Sequence, residues 1–274
     1  MKLPEDLLPI IKREFVNIQA YGRVINVVTS RGCPGNCIYC SATALSGATY
    51  RTRSIESVFM EIVLLKELLK GKMDLVYFID DTFTAFPERV LKFIDISEKN
   101  NLNVPWRCES RIDVMTGELI KSMAEGGCRG IVYGIESGSQ EILDKIRKKI
   151  DLNHVRNIIK YTCDTGMKLS VNFMIGHYCD TIETMKETVD FIREIYENFG
   201  ADIALTYNTP YPGTWQYTHR DELGINIITD DYSQFTIVDP IVETKNFTVK
   251  DQLDISLKAV HYILNNSPTY EEVI

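Results

Sequence analysis

Six apolar runs, at 24–29, 75–79, 104–109, 129–135, 168–175 and 201–207, each stop at a polar or glycine-bearing stretch. Most then give way to a segment of helical periodicity. The runs are rich in valine, isoleucine, phenylalanine and tyrosine, which suits buried strands. Ile55, Val58, Phe59, Ile62, Leu65 and Leu69 recur on one face of a helix expected over 54–70, which Ser54 caps and Gly71 ends. Further helices are expected over 87–100, 117–125, 139–147, 153–165 and 182–198. Such alternation implies right-handed crossovers and a parallel sheet. Six units fall short of the eight that close a barrel. The expected fold is therefore α/β, an open partial (β/α)6 barrel of TIM type with a short C-terminal extension. Chemistry in such barrels sits at the C-terminal strand ends. A doubly wound sheet would concentrate ligand contacts at one switch point, whereas here every strand end carries a signature.

Three segments are expected. Residues 1–23 form a lead-in, read as an amphipathic helix over 1–21 on Leu7, Leu8, Ile11 and Phe15. Residues 24–213 form the core, and residues 214–274 an extension of loops and short strands closed by a helix over 251–266. The net charge of −8 gives a phosphate-backbone partner no broad basic patch, so nucleic acid is not expected. No apolar run reaches the length of a membrane span. The start, Met1-Lys2-Leu3-Pro4-Glu5-Asp6, is acidic where a signal peptide would be basic. Seven cysteines without an export signal point to reduced thiols in the cytoplasm rather than to a disulfide framework.

Directly after the first strand, residues 31–40 read Arg-Gly-Cys-Pro-Gly-Asn-Cys-Ile-Tyr-Cys. Cys33, Cys37 and Cys40 stand three and two residues apart. Gly32, Pro34 and Gly35 let the backbone curl and turn the thiolates inward. A [4Fe-4S] cluster takes four ligands, and bacterial cluster loops pack cysteines this densely. With three ligands from the loop one iron stays open, as a catalytic metal requires and a structural one does not. Two other readings stand beside this one. The thiols are half of a zinc site completed by Cys108 or Cys128, or they are ordinary thiols. Cys108, Cys128, Cys163 and Cys179 are not spaced for a second cluster and read as small buried residues.

The loop, with Tyr39 just before its third cysteine, resembles that of the radical S-adenosylmethionine (SAM) enzymes. In that family the open iron is chelated by the amino and carboxylate groups of SAM. One electron then cleaves SAM to methionine and a 5'-deoxyadenosyl radical, which takes a hydrogen atom from substrate. Five more stretches resemble the cobalamin-associated and Elp3-like branch. Residues 78–83, Phe-Ile-Asp-Asp-Thr-Phe, resemble the second-strand motif, which implies that Asp80, Asp81 and Thr82 hold the SAM amino group. Acids are also favoured at a helix N-terminus. Residues 106–111 resemble the third-strand motif, with Arg111 facing the site or sitting in a surface ion pair.

Residues 134–139, Gly-Ile-Glu-Ser-Gly-Ser, resemble the fourth-strand motif, which implies that Glu136 and Ser137 bind the SAM ribose. Ser137 or Ser139 also suits a helix cap. Lys148 falls where the family sets a cation on the SAM carboxylate, or else belongs to a solvated basic face with Lys145, Arg147 and Lys149. Residues 172–176, from Asn172 to Gly176, resemble the fifth-strand motif that borders the adenine. The branch continues with a proline-glycine-acid turn, and this chain departs from it with His177-Tyr178-Cys179-Asp180. His177 or Tyr178 is read as facing substrate. The other reading is a structural histidine with Asp180 or Thr181 starting a helix. Asn208, Thr209 and Pro210 open a stretch resembling the sixth-strand motif that closes over the nucleoside, where Tyr39 also stacks or else packs in the core.

The resemblance implies a radical SAM enzyme with a [4Fe-4S] cluster, SAM, an electron donor such as a flavodoxin or ferredoxin, and an unidentified substrate. The branch often carries an N-terminal cobalamin domain, for which the stretch before residue 24 is too short. Hydrogen abstraction without cobalamin is therefore the first expectation. A methyltransferase using cobalamin from a separate protein or a missing domain is the second. A zinc- or cluster-stabilised binding module without turnover is the third.

Overall fold

The computed structural model describes residue 17, residues 22–47 and residues 49–266. The helical lead-in expected over 1–21 lies, residue 17 apart, outside them. Six strands form one sheet: β1 (Val24–Val27), β2 (Leu75–Phe78), β3 (Trp106–Arg111), β4 (Cys128–Glu136), β5 (Lys168–Ile175) and β6 (Asp202–Tyr207). They lie side by side in chain order, β1 to β6. The pairs β1–β2, β2–β3 and β5–β6 are parallel, in registers such as Val27 opposite Phe78 and Ile175 opposite Tyr207. A doubly wound sheet would break this order at a switch point. The α/β fold and its parallel six-stranded sheet are thus as the alternation predicts.

The helices follow in step: α1 (Ile55–Leu68), α2 (Pro87–Lys99), α3 (Gly117–Glu125), α4 (Gln140–Lys145), α5 (Leu152–Asp164), α6 (Ile182–Phe199) and α7 (Val249–Asn266). Their ends have local causes. The Ser54 hydroxyl accepts from Ser57 N–H at the start of α1, and proline opens α2, where its missing donor costs nothing. Thr181 and Thr184 form a capping box on α6, and Gly200 ends it at φ 59°.

Two compact units are present. Among the described residues, the first comprises those up to Gly35, Ala42–Tyr133 and Arg156–Leu169; the second comprises Asn36–Ser41, Gly134–Val155 and those from Ser170 onward. Phe78, Phe83, Phe93 and Trp106 form the aromatic centre of the first, with Phe78 and Phe83 stacked at 4.3 Å. Each such buried ring contributes roughly 1.5–3 kcal/mol. The second unit has its own apolar cluster around Ile175, Met185, Val189 and Tyr207. The segment beyond residue 214 adds Ile225, Ile241, Val242, Phe247 and Ile255 to it.

The structure also holds elements that the apolar pattern did not mark. A short ladder pairs Ser30–Arg31 with Arg51–Thr52, and the helix Ala42–Ser46 follows Cys40. β3 runs to Arg111 rather than stopping at 109. Its last residues are polar, so the period-two apolar signal fades before the strand does.

Candidate active site

In the first unit the acidic pair after β2 braces the start of the cysteine loop. Asp80 is buried, and its carboxylate accepts from Thr29 N–H at 2.6 Å, Ser30 O–H at 2.6 Å and the Thr29 hydroxyl. Those three bonds commit Asp80 to the chain itself. Asp81 is exposed and accepts from Gly32 N–H at 3.0 Å. Thr82 is fully buried, with Oγ1 3.6 Å from Cys33 Sγ. Gly35 N–H donates to the same sulfur at 3.4 Å. Gly32 sits at φ 85° and Gly35 lies so close to Arg111 that a Cβ would collide with its guanidinium. Arg111 forms a two-pronged ion pair with Asp113, Nε to Oδ1 at 3.0 Å and Nη2 to Oδ2 at 2.8 Å. This pair is largely buried, so Arg111 is no surface cation.

In the second unit the loop's other half is pinned by its backbone. Ile38 N–H donates to Ile146 O at 3.2 Å, and Ile38 O accepts from Gln216 N–H at 3.0 Å. Cys37 and Cys40 are half-buried thiols that form no disulfide. Tyr39 stands between them in sequence, and its ring centroid is 5.5 Å from that of His177. Burial, then the nearby Glu136 carboxylate, pushes the Tyr39 phenol up.

Glu136 ends β4 and pairs with Lys148, Nζ to Oε1 at 2.9 Å, the two side chains only 13% and 7% exposed. Glu136 has φ 78°, and Arg147 and Lys149, flanking Lys148, have φ 59° and 57°. Non-glycine residues in this region cost about 1–2 kcal/mol each and persist where surrounding structure demands them. A Cβ on Gly134 would lie 2.5 Å from Glu136 Oε1 and 3.2 Å from Lys148 Nζ. The pair therefore opens onto a strip of backbone kept bare. Ser137, expected beside Glu136 on the same ligand, instead faces inward: its hydroxyl is 3.1 Å from Thr188 Oγ1 and accepts from Ser139 N–H at 3.1 Å.

Asn172 is half-buried on the face of β5 opposite Val171 and Phe173. The turn after β5 is held tightly. Gly176 has φ 82°, and a Cβ there would collide with the Gln252 side chain of α7. Asp180 is buried and accepts from His177 N–H at 2.8 Å and Thr184 O–H at 2.7 Å. Burial raises its carboxyl to about 6. His177 is 1% exposed, and burial lowers its imidazole to about 4. Neither ring nitrogen has a hydrogen-bond partner among the described residues.

Tyr178, paired with His177 in the sequence reading, packs instead against the apolar cluster of Ile175 and Met185. Cys179 is also raised by burial, to about 12. At the end of β6, Asn208 Nδ2 donates to Gly176 O at 3.2 Å and Oδ1 accepts from Gln216 Nε2 at 2.9 Å. Thr209 donates to Thr236 O, and Pro210 is buried beside it. Asn208 thus ties the ends of β5 and β6 together and, through Gln216, to the loop, while Thr209 holds the segment at Thr236. Gln216 and Gln252 carried no sequence signal, since each acts through a partner distant in the chain.

The zinc reading asked for Cys108 or Cys128 as a fourth ligand. Both are fully buried on β3 and β4, and burial with the neighbouring Cys128 thiol pushes Cys108 far up. Among the described residues no three His, Cys, Asp or Glu side chains converge on a single metal ion. A cubane asks for a wider spread, because each thiolate binds a different iron.

The residues present fit a cluster with SAM. The donor set is three thiols of one loop outside any disulfide, the first receiving a backbone N–H, with Gly32 and Gly35 packed too closely to their neighbours for a side chain.

Residues 27–192, more than half of the chain, match the radical SAM superfamily. An uncharacterised methyltransferase of Pyrococcus horikoshii is 34% identical over 249 residues, which are 89% of this chain and 51% of that protein. A putative methylthiotransferase of Methanocaldococcus jannaschii is 27% identical over 215 residues, 76% of this chain and 46% of the relative. The chain spans about half the length of the curated relatives it matches. In fold it is similar to the methyltransferase TsrM from Kitasatospora setae, solved with cobalamin and a [4Fe-4S] cluster bound. That likeness has a TM-score of 0.66 at 18% identity, over 79% of this chain and 42% of the other. With the match running from the end of β1 into α6, and the three-cysteine loop inside it, this chain belongs to the radical SAM superfamily.

Proposed function

We propose that this chain is the catalytic core that holds a [4Fe-4S] cluster through Cys33, Cys37 and Cys40 and cleaves SAM at its open iron. When bound, the cluster and SAM together supply a 5'-deoxyadenosyl radical able to abstract hydrogen from substrate. The chain's own residues bind and orient. Gly35 N–H donates to Cys33 Sγ at 3.4 Å and orients that sulfur. Asp81 fixes the bend at Gly32, and Thr82 lies against Cys33. Lys148 offers a cation to a carboxylate and Glu136 an acceptor to a ribose hydroxyl.

The observation that carries this reading is the Glu136–Lys148 pair. A sealed ion pair adds little net stability. Here it is also framed by three left-handed residues and a glycine that leaves its face bare. That combination suits a site kept for a ligand with both a charge and hydroxyls. The test is to purify the protein without oxygen, add SAM and a reductant, and separate the nucleosides. The reading expects 5'-deoxyadenosine and methionine; a protein that carries zinc and releases no nucleoside would contradict it.

A second reading, methyl transfer with cobalamin, is favoured by the names of the relatives and by the cobalamin bound to TsrM. The chain spans only part of those proteins, so the shortness of its first segment no longer argues against it. Cobalamin would come from a separate protein or from a further part of the polypeptide, with an electron donor such as a flavodoxin or ferredoxin. Direct methyl donation leaves S-adenosylhomocysteine rather than methionine. Its formation, dependent on added cobalamin, would select this reading.

A further inference from the structure

Helix α1 turns one carboxylate into the core of the first unit. Ile55, Val58, Ile62 and Leu65 fill its buried face, and Glu61 lies among them at 1% exposure. It is paired with Arg53, Nη1 to Oε2 at 2.5 Å, the arginine side chain itself only 13% exposed. A buried ion pair often stabilises no more than apolar side chains of the same bulk would. The use of this one shows in what else Arg53 holds. Its Nη1 also donates to Val28 O at 3.0 Å, and its Nη2 to Ser57 Oγ at 3.1 Å. Its backbone N–H donates to Thr29 O at 2.9 Å. Arg89, in the first turn of α2, adds a second guanidinium, with Nη2 donating to Arg53 O at 3.0 Å and to Thr29 O at 3.4 Å.

These carbonyls lie at the foot of the cysteine loop. The loop leaves the sheet after β1 and returns at Arg51–Thr52, which pairs antiparallel with Ser30–Arg31. Cys33, Cys37 and Cys40 all lie between those two rungs. Arg53 follows the returning rung, so its side chain ties the returning segment to the outgoing one at Val28. From the other side Asp80 takes up the Thr29 N–H and the hydroxyls of Thr29 and Ser30. The foot is thus gripped at its carbonyls by two cations and at its donors by a carboxylate. Closing a loop costs chain entropy, and a loop closed in advance leaves less for its ligand to order.

We infer that Glu61, acting through Arg53 and together with Arg89, is a positioning residue that clasps the foot of the cluster loop and so sets Cys33 for the cluster before iron arrives. The inference rests on the proposed cluster site, and it assigns to that site three residues that bind neither cluster nor SAM.

The test compares retention of the cluster with stability of the fold. Wild type, an Arg53→Met/Glu61→Leu double variant and an Arg89→Met variant are reconstituted without oxygen and mixed with excess iron chelator. Loss of the cluster's visible absorption gives the rate of bleaching, and urea jumps on the cluster-free proteins give the rate of unfolding. The double variant strands no charge, so it is expected to unfold no faster than wild type. Its cluster is expected to bleach about tenfold faster, the effect of losing the charge-assisted bond to Val28 O. Arg89→Met leaves the ion pair intact and is expected to bleach faster than wild type as well. Bleaching at the wild-type rate in the double variant overturns the inference, and so does faster bleaching matched by an equal acceleration of unfolding. If the double variant fails to fold, the same comparison on Arg89→Met decides. A wild-type protein that takes up no cluster refutes the proposed site, a separate failure from equal retention by wild type and variants.

Discussion

Asp180 and His177 are neighbours whose titrations oppose each other. Asp180 is raised from 3.8 to about 6 because burial penalises its charge. Its folded pKa lies above its unfolded one. The stability it contributes is present below about pH 4 and is lost as pH rises through 6. His177 is lowered from 6.5 to about 4, again by burial. Its contribution is present above about pH 6.5 and is lost as pH falls through 4. Each pair of values differs by a little over two, which at 1.36 kcal/mol per unit is about 3 kcal/mol. Between pH 4 and 6.5 the two nearly cancel, and wild type carries almost no slope from them.

Single variants uncover the halves. Asp180→Asn keeps the side chain's shape and abolishes one titration, so relative to wild type its stability should rise by about 2–3 kcal/mol from pH 4 to 6.5. His177→Phe should show the opposite, a fall of similar size over the same range. Urea unfolding of the cluster-free protein at several pH values measures both, and taking differences from wild type removes every other titrating group. Two variant curves parallel to that of wild type would refute the assigned burial of these groups.

Gly176→Ala should cost about 2–4 kcal/mol, combining a left-handed alanine with a clash against a buried side chain. Gln252 cannot swing away freely, since its Nε2 donates to Val242 O at 2.6 Å. Adding Gln252→Ala to that variant should recover the clash part alone, as read from urea midpoints. Lys148→Met leaves Glu136 sealed without its cation and should lose roughly 3 kcal/mol of stability. Combining it with Glu136→Gln should recover most of that loss but none of the SAM affinity, which calorimetry in the presence and absence of SAM would separate.

The strands were legible because each is a run of branched and aromatic residues closed by a polar end. The order β1 to β6 then follows from crossovers of one hand. The helices were legible from one-sided apolar faces, with ends that moved by one or two residues where capping chemistry overrode the pattern. Cys33, Cys37, Cys40, Glu136 and Lys148 were singled out by motif and spacing, and the structure sets Glu136 against Lys148.

What stayed hidden was settled by contacts distant in the chain. Asp80 turns to Thr29 and Ser30, Ser137 turns to Thr188, and Gln252 reaches Gly176 from a helix beyond the family match. The left-handed backbone at Glu136, Arg147 and Lys149 had no signal either, because none of these residue types favours it. The departure at His177–Asp180 was visible as an altered motif. Only the fold separates its members, burying His177 with neither ring nitrogen bonded among the described residues and sending Tyr178 to the apolar cluster.

The central claim is that three thiolates hold a cluster whose remaining iron takes SAM as its ligand. Electron paramagnetic resonance of the reduced, anaerobically prepared protein tests it directly. The account predicts a reduced [4Fe-4S] signal that changes shape when SAM is added and that disappears in a Cys33→Ala, Cys37→Ala or Cys40→Ala variant. A cluster signal indifferent to SAM, or one that survives loss of any of these cysteines, would contradict it.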